Sequence, residues 1–288
     1  MTALSAWFFN IVLGDQFVLM IGMFVIIGLI EYFFPAQRVP RRDYSLNLSY
    51  GFVNIFLVST LLVPVSAGIA YAIQGIGFGF IDLRALGFEG LTGSLVAVLV
   101  GTLIWDFLQY WAQRLYHGSQ IFWQVHLLHH SDEHMNVTTA TRHHVFENLL
   151  APFFVTLPTA ILFQVPPVDI AIFSLLPYMW GYVAHANINF GFGPFWWLLV
   201  SPNYHRIHHS LAAEHVDRNF VNWFPIWDII FGTAVVPRWN ECPPTGVTGV
   251  MVRSMREAYL LPFKGWRQMV LSKLDDPVAA HAPGQPHR

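Results

Sequence analysis

The chain has 288 residues, of which 55% are hydrophobic and 11% are charged, and its mean hydropathy is +0.46. Soluble domains carry about 25% charged residues, so this composition predicts a membrane protein rather than a large soluble core. The formal net charge of −2 gives no basic surplus for binding nucleic acid. The single cysteine, Cys242, excludes an intramolecular disulfide, a Cys-x-x-Cys redox pair and an iron–sulfur cluster.

Apolar runs that suit membrane-spanning helices recur along the chain. Crossing the hydrocarbon core takes about 20 largely apolar residues. The predicted spans are Phe17–Phe34, Leu46–Ile73, Leu91–Trp111, Leu149–Val165 and Val168–Ala184. The last two are short, and they are interpreted either as spans or as a hairpin that only dips into the bilayer. Basic residues stay on the cytoplasmic side, and the arginines after the first span therefore set its orientation: Arg38, Arg41 and Arg42.

Histidines gather in the second half of this pattern. Twelve of the fourteen lie between His117 and His215, in segments that the predicted topology brings to the cytoplasmic side. The strongest signals are two H-x-x-H-H motifs, at His126–His130 and His205–His209. On a helix, residues three and four apart are neighbours, so each motif presents three imidazoles from a single turn. Neutral imidazole binds iron, zinc, copper and nickel, and the two motifs together predict a metal site.

A polar helical face precedes the first motif. Asp106, Tyr110, Gln113 and His117 follow one another at steps of four, three and four residues, which is one face of a helix. Polar residues at the end of a span are costly and usually functional. Carboxylates near the motifs are candidates to hold the ring N–H groups of metal-bound histidines: Asp106, Glu133, Glu147, Glu214 and Asp228.

At these residues the chain resembles the fatty acid hydroxylase/sterol desaturase superfamily. The resemblance runs from about Asp106 to Thr233. The matching elements are Asp106…Tyr110-Trp111-Ala-Gln113-Arg114-Leu-Tyr-His117, both H-x-x-H-H motifs, Arg142-His143-His144…Glu147, His185-Ala-Asn187 and Trp227-Asp228…Phe231-Gly232-Thr233. It implies an O2-dependent di-iron monooxygenase that hydroxylates, or desaturates, an acyl lipid or a sterol-like molecule.

The resemblance also implies a ligand set and partners. The implied metal ligands are His117, His126, His129, His130, His144, His185, His205, His208 and His209, with Asp106, Glu147 and Asp228 around them. His144 is preferred to His143 because the family's later histidine lies three residues before the glutamate. Two iron ions, O2, a membrane lipid and an external electron donor are implied. The donor is a reductase or a ferredoxin- or cytochrome-type protein, because the sequence contains no recognisable haem, flavin or iron–sulfur module.

One position departs from the family pattern. Gln113 stands where the family has the first histidine of its first box. A glutamine oxygen can bind a metal or a metal-bound water, but it is a harder and weaker ligand than imidazole. The departure keeps open a non-redox alternative, a zinc hydrolase or isomerase in which histidines hold the metal and activate water. A metal transporter is a third alternative, which the gathering of ligands at one face disfavours.

The predicted fold is an all-α integral membrane protein. It has about four to five transmembrane helices and a histidine-rich helical cap on the cytoplasmic side that holds a dimetal site. Residues 1–240 are predicted to form a single domain, with the histidine region at about 106–233, and residues 241–288 to form a tail. Met251–Met269 is interpreted as an interfacial amphipathic segment or a loose tail helix, and Asp275–Arg288 as disordered. The N-terminus lacks the pattern of a signal peptide, and the predicted location is the bacterial inner membrane.

Overall fold

The computed structural model describes residues 16–57, 68, 71–73, 75, 80–81, 90–162, 179–238 and 241–275. Its helices are α1 (Gln16–Phe33), α2 (Arg41–Leu57), α3 (Gly90–Gly118), α4 (Gln120–His130), α5 (Val145–Ala151), α6 (Leu157–Leu162), α7 (Pro202–His208), α8 (Ile226–Ile230) and α9 (Met255–Asp275). Residues 179–184 are also helical. Short 3-10 helices cover Val137–Thr141, Gly193–Phe195 and Ala213–His215, and a π-helical turn, Pro152–Thr156, joins α5 to α6. The described residues form isolated β-bridges but no β-sheet, so the all-helical prediction is confirmed for them.

Helices α3 and α4 bring the first histidines together. Ser119 separates the two helices: it has an extended backbone, and its side chain accepts a hydrogen bond from the backbone N–H of Phe122. This is the usual arrangement of a helix N-cap. The helices then pack through Ala112, Tyr116 and Val125. As a result, the C-terminal turn of α4, which carries the first H-x-x-H-H motif, is buried.

The N-terminal helices contribute polar side chains to the interior. Glu31 of α1 is 3% exposed and accepts hydrogen bonds from the backbone N–H groups of Val137 (2.7 Å) and Asn187 (2.6 Å). Asn54 of α2 donates to the backbone carbonyl of His143 at 2.7 Å. Buried polar groups need such partners. The two helices therefore hold the segments that carry the later histidines.

Gly51 marks the closest approach of α2 to the 3-10 helix Val137–Thr141. A Cβ at this position would lie 2.5 Å from Thr141 Oγ1 and 2.8 Å from Thr141 Cβ. We expect Gly51→Ala to lower the free energy of unfolding by about 1–3 kcal/mol, because an extra methyl group overpacks this contact.

The matched control is Gly22→Ala in α1, where no described residue offers an atom within 4 Å of the added Cβ. This change should be neutral or stabilise the helix by up to about 1 kcal/mol, because alanine favours helix over glycine. Thermal or denaturant unfolding measures both variants. Equal stability of the two would contradict the tight packing of α2.

The described helices do not support the membrane prediction. In this part of the chain, no helix is both long enough and apolar enough to cross a membrane. The prediction of an integral membrane protein with four to five transmembrane helices is therefore wrong for these residues.

Several predictions about the membrane fall outside this description. The predicted spans Leu46–Ile73, Leu149–Val165 and Val168–Ala184 each include residues beyond the described ranges. The predicted bacterial inner-membrane location, with the site on the cytoplasmic side, stays a prediction.

The C-terminal helix packs against the histidine region. Helix α9 overlaps the predicted amphipathic segment Met251–Met269. The ring of Tyr259 packs on Tyr50 of α2, with centroids 5.0 Å apart, and Trp266 Nε1 donates to the backbone carbonyl of Ile121 in α4 at 3.0 Å. Helix α9 therefore braces the helix that carries the first motif. The boundary at residue 240 stays a prediction, and residues 276–288 lie outside the described ranges.

Candidate metal centre

Eight histidines converge as two groups of four. In each group, one nitrogen of every ring lies within 4.8 Å of the others. Cluster A consists of His117, His126, His130 and His208. Cluster B consists of His129, His185, His205 and His209. The structure thus brings together eight of the nine histidines that the sequence resemblance selects.

Each H-x-x-H-H motif supplies both clusters. In the motif on α4, His126 and His130 enter cluster A, while His129 between them enters cluster B. The motif at the end of α7 is used the other way round: its first and last histidines enter cluster B and its middle one, His208, enters cluster A. The ring of His130 stacks on that of His209, with centroids 4.4 Å apart. The two clusters are therefore immediate neighbours.

The Nε2 atoms converge within each cluster. In cluster A, His130 Nε2 lies 3.1 Å from His117 Nε2 and 3.0 Å from His126 Nε2. In cluster B, consecutive Nε2 atoms are 3.2, 3.0 and 3.2 Å apart along the series His129, His185, His205, His209. Such separations fall in the range expected for ligands about 2.0–2.1 Å from one shared ion.

Hydrogen bonds at Nδ1 orient four of these rings. Backbone carbonyls accept from His185 Nδ1 (Gly181, 2.7 Å) and from His208 Nδ1 (Arg218, 3.0 Å). Because a carbonyl can only accept, both rings carry their proton on Nδ1 and turn the Nε2 lone pair into the cluster. Carboxylates do the same for the other two: Asp217 for His117 (3.3 Å) and Glu147 for His126 (2.9 Å). This is the usual support of metal-ligating histidines.

Seven of the eight clustered rings have a lowered pKa, which favours neutral imidazole. Burial lowers the pKa of His117 to about 4 and that of His185 to about 3. Burial and the neighbouring histidines also hold the pKa well below the usual range at His129, His130, His205, His208 and His209. Deprotonated nitrogen is the form that binds a metal.

A metal ion fits cluster A better than hydrogen bonds between its histidines. With the Nδ1 protons of His117 and His126 directed outward, both of their Nε2 atoms are acceptors, and both face His130 Nε2, which can donate only one proton. Nε2 of His208 is buried without a hydrogen-bond partner among the described residues. Both clusters also lie where α4 and α7 end, and the C-terminus of a helix favours positive charge.

The sequence resemblance favours His144 over His143 as a metal ligand, but the structure places His143 closer to the clusters. His144 caps α5: its Nδ1 accepts from the backbone N–H of Phe146, and its Nε2 faces the backbone carbonyl of Tyr259 at 3.3 Å. The structure therefore does not bring His144 to either cluster. The ring of His143 instead stacks on His129, with centroids 4.2 Å apart.

Glu147 joins His143 to cluster A. Its Oε1 lies 2.9 Å from the Nδ1 atoms of both His126 and His143, and these three residues form a further group that can hold an ion. Burial alone would raise the pKa of Glu147, but the two histidines lower it well below its usual range. The charged carboxylate in turn outweighs the effect of burial on His143 and raises the pKa of that ring.

The other two predicted supporting carboxylates have a different role. Asp106 accepts hydrogen bonds from three consecutive backbone N–H groups, those of Asn222, Trp223 and Phe224, at 2.8–3.2 Å, and burial raises its pKa to about 7. Asp228 binds the Tyr204 hydroxyl at 3.0 Å and the backbone of residues 220 and 221. Both anchor the loop before α8 rather than a histidine ring. Asp217 does contact a histidine, His117, but no spacing in the sequence predicts this contact.

Gln113 lies one turn before His117 on α3. Its side chain is 7% exposed, and its Oε1 is buried without a hydrogen-bond partner among the described residues. An unpaired buried oxygen is costly. The position therefore offers an acceptor for a metal ion, a water molecule or a substrate hydroxyl.

Comparison with known proteins agrees with this arrangement. Residues 98–233 match the family model described as fatty acid hydroxylase, the region that contains all eight clustered histidines. This region therefore resembles the fatty acid hydroxylase/sterol desaturase superfamily. The resemblance found in the sequence is thereby confirmed, with nearly the same limits. No solved structure matches the chain.

Curated proteins similar to this region include monooxygenases and a lipid hydroxylase. Alkylglycerol monooxygenase of Xenopus tropicalis is 36% identical over 133 residues, which are 45% of this chain and 28% of that protein. The human alkylglycerol monooxygenase is 35% identical over 44% of this chain and 28% of its own length. Ornithine lipid hydroxylase of Rhizobium tropici is 28% identical over 61% of this chain and 54% of its length. The matches thus span under a third of the alkylglycerol monooxygenases and about half of the ornithine lipid hydroxylase.

Proposed function

We propose that this chain is an O2-dependent lipid hydroxylase with one iron ion in each histidine cluster. The observation that carries the proposal is the pair of adjacent four-histidine clusters, built from neutral rings whose Nε2 atoms converge. Eight imidazoles in two neighbouring groups suit two metal ions better than one. The names of the relatives, alkylglycerol monooxygenase and ornithine lipid hydroxylase, favour hydroxylation over desaturation and a lipid as substrate.

The protein side chains set up this chemistry. Cluster A would hold one ion and cluster B the other through Nε2, and the bound iron would supply the activation of O2 that C–H hydroxylation requires. Asp217, Glu147 and the carbonyls of Gly181 and Arg218 keep the rings in place. The chain has one cysteine, Cys242, too few for an iron–sulfur cluster, so electrons would come from a separate donor such as a reductase or a ferredoxin- or cytochrome-type protein.

Aromatic rings pack against three of the four histidines of cluster A. Tyr116 stacks on His126 with centroids 5.2 Å apart, Trp123 lies 5.4 Å from His130, and Phe220 lies 5.2 Å from His117. Apolar walls exclude water, which protects a reactive centre from side reactions. They also suit the hydrocarbon part of a lipid.

Isotope labelling tests the proposal directly. Purified iron-loaded protein, with a reductase–ferredoxin pair as donor, would be incubated under 18O2 with alkylglycerols, ornithine lipids and phospholipids in separate reactions. The proposal expects one 18O atom in a hydroxylated lipid and O2 uptake that depends on that lipid. If no lipid gains oxygen and no O2 is consumed, the hydroxylase proposal fails.

Gln113→His tests the departure from the family pattern. We expect this variant to keep or raise the iron content per chain, because imidazole is a better ligand for divalent iron than an amide oxygen. Gln113→Leu is the matched control, since it removes the oxygen at similar volume. Metal analysis and the labelling assay measure both variants. If Gln113→His loses hydroxylation while keeping iron, the glutamine oxygen has a role of its own in the reaction.

One observation favours a second candidate function. Three histidines of cluster A could hold zinc with a water in the fourth position, and the unpaired oxygen of Gln113, one turn before His117, suits such a water. A zinc hydrolase or isomerase would work through such a water. Full activity towards a lipid under strict anaerobiosis would favour this candidate over the hydroxylase.

A further inference from the structure

We propose that the loop Asp217–Asn219 positions the ligands of cluster A and makes it the exchangeable one of the two metal sites. The inference rests on the proposed function. This loop follows the second H-x-x-H-H motif and makes contact with two rings of cluster A. Asp217 Oδ1 lies 3.3 Å from His117 Nδ1, and the carbonyl of Arg218 accepts from His208 Nδ1 at 3.0 Å. Two of the four cluster A rings are thus oriented by adjacent residues of one loop.

The backbone of this loop is strained. Asp217 has a φ of 56° and Asn219 a φ of 53°, and they are the non-glycine residues with positive φ in the described part of the chain. Side chains disfavour this left-handed region, and aspartate and asparagine tolerate it best. Strained backbone persists only where its surroundings hold it, and it concentrates at functional sites.

The hydrogen bonds of Asn219 stabilise the strained backbone of this loop. Asn219 is fully buried, and its Nδ2 donates to the carbonyls of Tyr204 and Val235 at 3.0 Å each. Its Oδ1 accepts from the backbone N–H of Val235 at 2.7 Å, and its own N–H donates to the carbonyl of Thr233. With both sides of Asn219 fixed, the carbonyl of Arg218 before it is aimed at His208.

The two clusters differ in exposure to solvent. All four cluster B rings are at most 5% exposed, and one of them is oriented by the helical carbonyl of Gly181. In cluster A, three rings are equally buried, but the side chain of His117 is 9% exposed and that of its partner Asp217 is 50% exposed. An ion in cluster A is therefore reached through a surface loop, whereas one in cluster B is enclosed. Ion exchange should be faster at cluster A.

Two substitutions at Asp217 separate the carboxylate from the backbone strain. Asp217→Gly keeps the positive φ at no steric cost but removes the acceptor for His117. Asp217→Asn tolerates the same φ and keeps an oxygen that can accept. Because the residue is half exposed, both variants should fold. Glu214→Ala is the matched control, since Glu214 is an exposed carboxylate of the same segment.

The experiment follows metal release from protein loaded with cobalt(II), whose visible spectrum reports ligand geometry. After addition of excess EDTA, we expect two phases in the unaltered protein. Asp217→Gly should accelerate only the faster phase, by about 10–100-fold, the usual effect of losing a partner of a metal-bound histidine, and should shift only the part of the spectrum lost in that phase. Asp217→Asn should restore both rates, and Glu214→Ala should leave them unchanged.

The outcomes separate this inference from the proposed function. Two bound ions released in one phase, or Asp217→Gly accelerating both phases or neither, would overturn the inference and leave the hydroxylase proposal standing. Failure of Asp217→Asn to restore the rate would also overturn it. A protein that binds no metal at all would overturn both.

Discussion

His129→Ala and His208→Ala should each remove one metal ion per chain and abolish lipid hydroxylation. His129 belongs to cluster B and His208 to cluster A, so each change leaves three imidazoles in one cluster and four in the other. Loss of a ligand from a buried site weakens binding strongly, because the remaining nitrogens no longer surround the ion. We expect the metal content to fall from about two to about one ion per chain, with no detectable product. Metal analysis and the 18O2 assay measure the two effects separately.

Two further histidines serve as controls. His134 is part-buried, and its Nδ1 contacts Asp43 at 2.8 Å, away from both clusters. His144 caps α5 and contacts neither cluster. His134→Ala and His144→Ala should therefore keep about two ions per chain. The account would be contradicted if His129→Ala retained its full metal content, or if His144→Ala lost an ion from correctly folded protein.

Asp106→Ala should lower the free energy of unfolding by about 3–5 kcal/mol without changing the metal content of the folded protein. The carboxylate accepts from three backbone N–H groups of residues 222–224 and is fully buried. Removing it leaves three buried donors without a partner, at about 1–3 kcal/mol each, and partial relaxation of the loop recovers some of this cost. Denaturant unfolding gives the stability.

Asp106→Asn is the informative companion variant. Its amide retains one acceptor oxygen, so it should lose less stability than Asp106→Ala. Glu214→Ala, at an exposed carboxylate, is the control and should stay within about 0.5 kcal/mol of the unaltered protein. If Asp106→Ala were as stable as the parent but lost metal, Asp106 would support a histidine after all, as the sequence resemblance implied.

The histidine clusters could be predicted largely from sequence because helix geometry is regular. Once His126–His130 and His205–His209 are read as helical turns, the spacing alone brings three rings of each motif together. The family resemblance adds His117, which lies on α3, and His185, which directly follows the helical residues 179–184. Spacing does not predict how the histidines divide between the two clusters. In each motif the middle histidine belongs to a different cluster from the first and last.

The structure departs from the sequence interpretation where side chains leave regular helices. His143 and His144 are adjacent, and the choice between them depends on which one caps α5, a matter of local backbone direction. Asp217 reaches His117 from a loop whose left-handed conformation has no sequence signature. Asp106 and Asp228 carry the family pattern, but the pattern alone does not distinguish a carboxylate that holds a loop from one that holds a ring.

The prediction of membrane-spanning helices is wrong for the described residues for a related reason. Mean hydropathy over a window is high wherever apolar side chains dominate. It does not show that polar side chains among them form hydrogen bonds inside the fold. Glu31, Asn47 and Asn54 all lie within or beside predicted spans, and each makes buried or part-buried hydrogen bonds. Apolar composition therefore does not by itself show that a helix crosses a membrane.

Metal content distinguishes a di-iron centre from a zinc site. The protein would be expressed with iron and zinc both available, purified, and analysed by inductively coupled plasma mass spectrometry. We expect about two iron ions per chain, one for each histidine cluster. About one zinc ion per chain with little iron would overturn the di-iron proposal and favour the non-redox zinc enzyme.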